Sequence, residues 1–532
     1  MSKKDVSFTD VISLWVTNII LTYDVVSRQD GAVKSEGVVE DLTGGPLFLP
    51  LFKYFEECGG LYKLCFGPKV FMVVSDPNVV KHMMKDSVFS FDKGVLSEIL
   101  EPFMGQGLIP APFEVWRQRR RAVVPGFHQA WLNNMCTMFG TMTLRLVDKL
   151  DKVADTDEVV DMEENWNSCS LDIIGKAVFN YDFKSVEKVS PVVEAALGAL
   201  REAEHRSTFY FPYWKIPGLG AEWPIPPLVP RQLKFQNDMK LLRGVLDEVI
   251  LNVIEDKDET DMDALMAKDY SKINDPSLLR FLVDVRGAGH TPRADAALQA
   301  IAGERESERE RKRERGERER ERERERDLAL LPAAALPRAH TKGTRCTPSD
   351  RMPTYDDIQA LEQVRLVVTE TLRLYPEPPI LIRRALEEDL MPKANNPDSS
   401  QVIKGTDFFI SVWNIHRSPA LWEDPLIFDP DRWRKPTPQA HPPLVRHLGL
   451  QSRGCAVWQC LTVCGPRKCL GDQFALMESV VMLAVVFRRF EFKLEGTHDP
   501  LDAVTSDIGM TFGATIHSAN GLNVKVKRRK FD

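Results

Sequence analysis

The stretch Gly465-Pro466-Arg467-Lys468-Cys469-Leu470-Gly471-Asp472-Gln473-Phe474-Ala475-Leu476-Met477-Glu478 sets a cysteine in a cationic turn that runs straight into an apolar helical pattern. A thiolate is a strong soft ligand for iron, and nearby positive charge and helix-start N–H groups favour its ionised form. Gly465 and Gly471 let the backbone lie close to a flat cofactor where a side chain would intrude. Arg467, two residues ahead of Cys469, is placed to meet an anionic group on that cofactor. A lone cysteine near a helix start is ordinarily a buried thiol. The residues around this one point instead to a metal ligand.

Two further constellations point the same way. Glu370-Thr-Leu-Arg373 lies in the apolar-periodic segment Leu361 to Leu374, which reads as a helix, and the i, i+3 spacing puts carboxylate and guanidinium on one face. Such a pair is commonly a solvated contact worth little. Here Leu-Tyr-Pro follows at once, and Phe428-Asp-Pro-Asp-Arg432-Trp433 supplies a second arginine. Arg432 can complete a Glu–Arg–Arg cluster whose fork geometry locks a long loop behind a cofactor. Trp116-Arg-Gln-Arg-Arg120-Arg121 is the other constellation. Trp116 and Arg120 are four apart on a helical pattern and share a face that can hold one anionic group.

Composition narrows the class. The 532 residues are 43% hydrophobic, ample for a sizeable core. The net charge of −7, from 70 basic and 77 acidic residues, gives no global pull towards nucleic acid. The nine cysteines are irregularly spaced and do not form a disulfide framework. Cys455, Cys460, Cys464 and Cys469 crowd together, but no Cys-x-x-Cys unit or paired histidines make them a zinc knuckle. Val11 to Val26 is apolar but broken by Asn18, Thr22 and Asp24. It is too short and polar for a spanning helix and lacks the Arg and Ser of a transit peptide, so it reads as a short amphipathic surface helix.

Residues 45 to 80 alternate like paired strands, with Gly60 to Gly67 and Val70 to Pro77 as the two arms. From Pro77 to Asn252 the pattern is mainly helical, with apolar stripes such as Met142 to Val153 and Leu241 to Ile254. Phe209 to Pro230 carries Pro212, Pro217, Pro224, Pro226, Pro227 and Pro230 and cannot be a regular helix.

In order along the chain, Trp-x-x-x-Arg at 116–120, Glu-x-x-Arg at 370–373, Pro-Asp-Arg-Trp at 430–433 and Gly-Pro-Arg-Lys-Cys-Leu-Gly at 465–471 resemble the haem-thiolate monooxygenases, the cytochromes P450. The resemblance covers residues 45–287 and 353–532. Its finer wording is similar to the plastid carotenoid-ring hydroxylases of plants and algae, at Gly94 to Glu101, Gly107 to Pro110, Asp172 to Phe183, Ile382-Arg-Arg, Ile410 to Pro419 and Gly513 to His517.

The resemblance implies a mainly α fold with small β-sheets, an α-helical prism around haem. Residues 1–44 become an N-terminal extension, 45–287 the first part of the haem domain, 288–352 a low-complexity insert and 353–532 the haem-binding part. The implied cofactor is haem b (iron protoporphyrin IX), with Cys469 as the iron ligand and Trp116, Arg120, Arg384 and Arg467 on its propionates. Glu370, Arg373 and Arg432 would be structural. Substrate contacts would come from Gly94 to Leu108, Pro378 to Ile382 and Thr511 to His517, apolar segments suited to a carotenoid-like molecule. Dioxygen is the co-substrate. Electrons would come from a ferredoxin or reductase, since the chain has no Gly-x-Gly-x-x-Gly fingerprint of its own. Arg117 to Arg121 and Arg488-Arg489 are candidate docking faces. A plastid location with peripheral membrane contact, and no nucleic-acid partner, completes the expectation.

The chain departs from the family pattern in two places. Glu317 to Arg326 alternates Glu and Arg without a break, inside a charged run from Glu304 to Asp327. Alternation puts like charges at i, i+4 and opposite charges at i, i+3, so helix support cancels and disorder is the expectation. A repeated GA dinucleotide encodes Glu-Arg, and the segment looks like translated non-coding sequence. It stands where the family has a long central helix with an acid–Thr pair. Gly287-Ala-Gly-His-Thr-Pro-Arg echoes that helix faintly, but Pro292 would break it, so no catalytic residue is carried over. The other departure is Thr462-Val-Cys464, where the family has an aromatic residue. The alternative reading is therefore a non-catalytic or mis-spliced relative without the oxygen-activating helix.

Overall fold

The apolar run after the cysteine becomes a helix, Asp472–Arg489, buried on nearly every side. A helix apolar all round belongs inside a core, and this one contributes Phe474, Val480, Val481 and Val486 to the main apolar cluster. The computed structural model describes residues 33–34, 46–66, 69–188, 190–208, 214, 229–255, 275–287, 351–392, 400–434, 466–495, 508–512 and 516–530. The Val11–Val26 stretch, the Glu/Arg run, the sequence following Gly287, most of the proline-rich stretch and Cys455 to Gly465 lie outside the described residues.

In chain order the first elements are β1 (Val33–Lys34), α1 (Phe48–Cys58), β2 (Leu61–Phe66), β3 (Lys69–Val74), α2 (Pro77–Lys81), β4 (Phe91–Asp92), α3 (Val95–Met104) and α4 (Phe113–Val123). Next come α5 (Gln129–Val153), β5 (Val159–Asp161), α6 (Met162–Phe179), α7 (Pro191–Thr208), α8 (Pro230–Glu255) and α9 (Leu278–Gly287). Then follow α10 (Tyr355–Ala360), α11 (Glu362–Leu374), β6 (Ile380–Ala385), β7 (Asp389–Met391), β8 (Ser400–Val402), β9 (Asp407–Ser411) and α12 (Val412–Arg417). The chain closes with α13 (Asp472–Arg489), β10 (Phe490–Leu494), β11 (Met510–Phe512), β12 (Ile516–Ser518) and β13 (Asn523–Arg528).

The main core joins α5, α6, α11 and α13. On α5 the buried residues Trp131, Met135, Phe139, Met142, Leu146 and Leu150 recur at the i, i+3/i+4 spacing of one helix face. Phe474 of α13 meets two of them, with its ring centroid 5.8 Å from Trp131 and 4.9 Å from Phe139. The expected mainly α architecture with small sheets is what the structure shows.

A six-stranded sheet runs in the order β1-β2-β3-β9-β6-β4. The expected strand pair is present as the antiparallel β2–β3 hairpin, in register Leu61↔Val74 to Phe66↔Lys69. The residues just before it are helical, because Phe48, Leu51, Phe52 and Phe55 repeat at i, i+3, i+4, i+7 and bury Phe48, Leu51 and Tyr54. Strand β9 then pairs with β6, placing Asp407 opposite Arg384, and β4 places Asp92 opposite Arg384 on the other side.

The expected Glu–Arg–Arg cluster assembles in full. Arg373 Nε and Nη2 donate to Glu370 Oε2 and Oε1 at 3.0 and 2.9 Å. Arg432 Nε donates to Oε1 at 3.0 Å, Asp429 N–H to Oε1 at 3.0 Å, and Trp433 Nε1–H to Oε2 at 3.1 Å. Arg373 also donates to the carbonyls of His416, Pro425 and Ile427. Glu370 and Arg373 are both 0% exposed.

Removing one partner of a buried pair leaves the other charged and unpaired. Arg373→Ala should therefore lower the unfolding free energy by about 3–5 kcal/mol. Arg373→Lys should recover little of it, because one ammonium cannot match the fork. Denaturant melts of both variants check this, and a wild-type midpoint for Arg373→Ala would refute it.

His416, buried beside Arg373 with Nδ1 3.1 Å from the Arg373 carbonyl, has its pKa held well below the usual histidine range. Burial does most of this, and the charges of Arg373 and Arg417 add to it. The unfolded chain binds the proton at pH ~6.5 and the folded chain does not, so stability should fall as pH drops below that value. The slope of melting temperature against pH between about 6.5 and 5 should flatten in His416→Asn.

Candidate cofactor site

Helix α4 faces two ways. Trp116 and Arg119 are buried while Arg117 and Arg121 are exposed, as a charged helix lying across a core requires. The i, i+4 spacing brings the Arg120 guanidinium to 5.6 Å from the centre of the Trp116 ring, and Arg467 reaches the same ring at 5.1 Å. Arg120 Nη1 donates to the Lys468 carbonyl at 2.7 Å, next to Cys469. Arg467 Nη2 donates to the Ala111 carbonyl at 2.7 Å, and Arg119 Nη1 donates to the Gln106 carbonyl. The turn bearing Cys469 is thus stapled to α4 and to the connection leading into it.

Cys469 is exposed and stands three residues before Asp472, the first residue of α13. Lys468 bridges to Asp472 at 3.0 Å across the helix start. The turn bearing the thiol thus carries cationic side chains and leads into the positive end of a long helix.

Strand β6 supplies two adjacent arginines with different fates, because successive side chains point to opposite faces. Arg384, the residue expected at the cofactor, pairs with Asp407 through Nε and Nη2, both at 2.8 Å, and with Glu98 at 2.5 Å. Burial works against its charge, but the bonds and charges of Asp407 and Glu98 hold its pKa above the usual range. Arg383 is 3% exposed, and its Nη2 has no hydrogen-bond partner. Burial, with the charge of Arg467 second, pushes its pKa down to about 9, while Asp92 opposes the shift. Arg467 is 7% exposed with Nε unpartnered; burial lowers its pKa, against the pull of Asp92.

The structure thus brings Trp116, Arg120, Arg467 and Cys469 together and engages Arg384 with two carboxylates. The sequence reading passed over Arg383; the alternation of β6 was the signal that separates the two neighbours. Buried cations carrying unpartnered N–H groups beside a thiol fit a group that carries both a metal and carboxylates.

A cysteine turn at a helix start, stapled by arginines and set on a helical core with small sheets, is a setting that a metal-bearing cofactor protein would have. The family profile described as Cytochrome P450 matches residues 39–293 and 343–513, and the chain belongs to that family. Cytochrome P450 97B2, chloroplastic, of Glycine max is 42% identical over 525 residues, 93% of this chain and 85% of that protein. Protein LUTEIN DEFICIENT 5, chloroplastic, of Arabidopsis thaliana is 37% identical over 93% of this chain and 76% of its own. Carotene epsilon-monooxygenase, chloroplastic, of the same plant is 34% identical over 97% and 89%. By this membership the chain is a monooxygenase with a haem-iron cofactor, a lipophilic substrate, dioxygen and a redox partner.

Burial pushes the Cys136 thiol up to about 12 and raises that of Cys169 as well. In the haem-free chain, iodoacetamide should therefore label Cys469 and leave Cys136 and Cys169 untouched until the protein unfolds. Added haemin should protect Cys469. Peptide mass spectrometry reads each site, and equal labelling of Cys469 with and without haemin would count against the ligand assignment.

Proposed function

We propose that the protein hydroxylates the β-ring of a carotenoid, using haem b bound through the Cys469 sulfur. The observation that carries this reading is the convergence of Arg120 and Arg467 on Trp116 beside the turn that bears Cys469, with Arg467 keeping an unpartnered buried N–H. When bound, haem supplies activation of dioxygen and insertion of one oxygen atom into a C–H bond. The residues named here bind and orient. Cys469 ligates the iron, and Arg120, Arg467 and Trp116 hold the propionates. Arg384 secures the β6–β9 pair through Asp407 and reaches α3 through Glu98.

The substrate class is argued from the apolar wall. Val95 from the 94–108 segment, Ile380 and Ile382 from 378–382, and Ile516 from 511–517 belong to one apolar cluster with Met510 and Phe409. Three stretches far apart in sequence thus meet, and several of their side chains are only partly buried. Such a surface excludes water and suits a hydrocarbon ring. Two of the relatives above are named for lutein and carotene.

The electron donor is assigned to a separate ferredoxin or reductase. The face it would meet is the exposed side of α4, where Arg117 and Arg121 border a cleft of about 1100 Å³ beside Phe89, Phe113 and Pro466. We assign the chain to the plastid, as its relatives' names suggest, with peripheral membrane contact; no described helix is long and apolar enough to cross a membrane. Residues 45–287 and 353–532 are read as one haem domain, with 288–352 inserted between them. A second reading, haem binding without turnover, draws on the family match, which stops at 293 and resumes at 343.

Reducing the purified protein and adding carbon monoxide should give the red-shifted Soret band of a haem thiolate, and Cys469→Ala should abolish it. Supplied with ferredoxin, its reductase and NADPH, the wild type should convert β-carotene to a ring-hydroxylated product. Haem uptake without product would favour the second reading, and failure to take up haem would overturn both.

A further inference from the structure

Helices α7 and α8 pack beside α3, in an apolar cluster that includes Ile99, Phe103, Met104, Phe235 and Met239. Past Val192 at its start, the face that α7 contributes is built of small residues: Ala195, Ala196, Ala199 and Ala203 are all buried. Alanines offer no ridges to interlock with a neighbour's grooves, so apolar packing alone fixes the register of this helix weakly.

A polar joint sits at the end of that face. Arg206 is 1% exposed; its Nε donates to Glu202 Oε1 at 3.0 Å and its Nη2 to Gln232 Oε1 at 2.9 Å. Gln232 Nε2 also donates to Glu202, and Arg231 Nε donates to Glu202 Oε2 at 2.6 Å. The same guanidinium carbon lies 4.9 Å from the ring centre of Phe103 on α3, 4.8 Å from Phe235 on α8 and 5.2 Å from Trp214.

One side chain therefore links α7, α8 and α3 with directional contacts in an otherwise apolar layer. Buried ion pairs add little net stability, and their best-attested use is to select one register. The fork and the flat face that stacks on rings are properties of arginine that lysine lacks.

Phe103 also opens the stretch whose later part is pinned near Cys469, by Arg119 at Gln106 and Arg467 at Ala111. At the other end of α3, Val95 joins the apolar cluster of Ile382 and Met510. Helix α3 thus runs from the proposed substrate wall to the Arg206 joint.

We propose that Arg206 is a positioning residue that fixes α7 on α8 and, through Phe103, holds α3 in place as one wall of the substrate pocket. It governs the fit of a long apolar substrate and not the state of the iron. The part concerning substrate rests on the function proposed above; the part concerning α3 does not.

The test uses the full chain with Arg206→Met and Arg206→Lys. Hydrogen exchange of the amides of residues 99–105 should quicken about tenfold in both, while those of α13 stay as in wild type. In the haem-loaded protein, β-carotene in detergent micelles, followed by the Soret shift, should bind about tenfold more weakly. The carbon monoxide spectrum should be unchanged, and the affinity for imidazole, a small probe of the iron, should stay within about twofold.

Unchanged exchange at 99–105, or wild-type behaviour of Arg206→Lys, would overturn the proposal. So would loss of imidazole and β-carotene binding in equal measure. Should neither Arg206 variant fold, Gln232→Leu, which removes one acceptor of the fork, must quicken exchange at 99–105 or the proposal fails. Should wild type itself not bind β-carotene, the proposed function fails, and the exchange rates still decide the role of Arg206.

Discussion

One buried carboxylate, Glu370, ties the end of α11 to the chain that follows α12. The two oxygens of Glu370 accept from Arg373, Arg432, the Asp429 N–H and the Trp433 indole. Such a carboxylate is stable inside a protein only when its lone pairs are filled and its charge is matched. That requirement makes the cluster all-or-none. It fixes the end of α11, and through Arg373 it reaches the carbonyls of His416, Pro425 and Ile427. Residues 416–433, otherwise short of regular structure, thereby gain a fixed path.

The buried arginines divide by what they touch. Arg373 and Arg206 are as deeply buried as any, and each donates to a carboxylate and to further acceptors. Arg417 keeps Nη1 unpartnered but lies flat against Trp413, its guanidinium carbon 3.2 Å from the ring centre. Arg383 and Arg467 differ from all of these. Each donates to a backbone carbonyl, each has an unpartnered N–H, and Asp92 is the acid that offsets both. An unpartnered buried donor is costly. Retaining two such donors, one of them two residues from Cys469, is what the proposed anion-bearing cofactor would account for.

The sequence carried some of this plainly and some of it not at all. Cys469, Arg467 and the helix after them were readable because the pattern is local: seven residues hold the turn, the charge and the glycines. Trp116 with Arg120, and Glu370 with Arg373, were readable because helix periodicity dictates which side chains share a face. Arg432 is 62 residues from Glu370, and only the resemblance to a family joined them. The error at Phe48–Cys58 came from reading a strand pattern outwards past Gly60, although Phe48, Leu51, Phe52 and Phe55 already had the helical spacing. Alternation along β6 separates Arg383 from Arg384 but does not say which of them faces the carboxylates. Two adjacent strand residues face opposite sides, and which side is which depends on register with β9, a partner set by tertiary pairing. The Ala-rich face of α7 carried no signal of its own, since small residues at helical spacing look alike whether they line a rigid seam or a loose one.

Residues 103–111 are held at two points by unlike means. Near Cys469 they are held by Arg467 and Arg119 bonding to backbone carbonyls, contacts indifferent to side-chain identity. At Phe103 the hold is a side-chain ring resting on Arg206. Backbone bonds keep their geometry when the sequence between them changes, whereas a ring–guanidinium contact changes with either partner. The arrangement therefore separates two tasks within one short segment. The part held through backbone carbonyls at 106–111 is insulated from substitution along it, and the part held through the Phe103 ring is open to it. In this chain the division falls between Phe103 and Gln106.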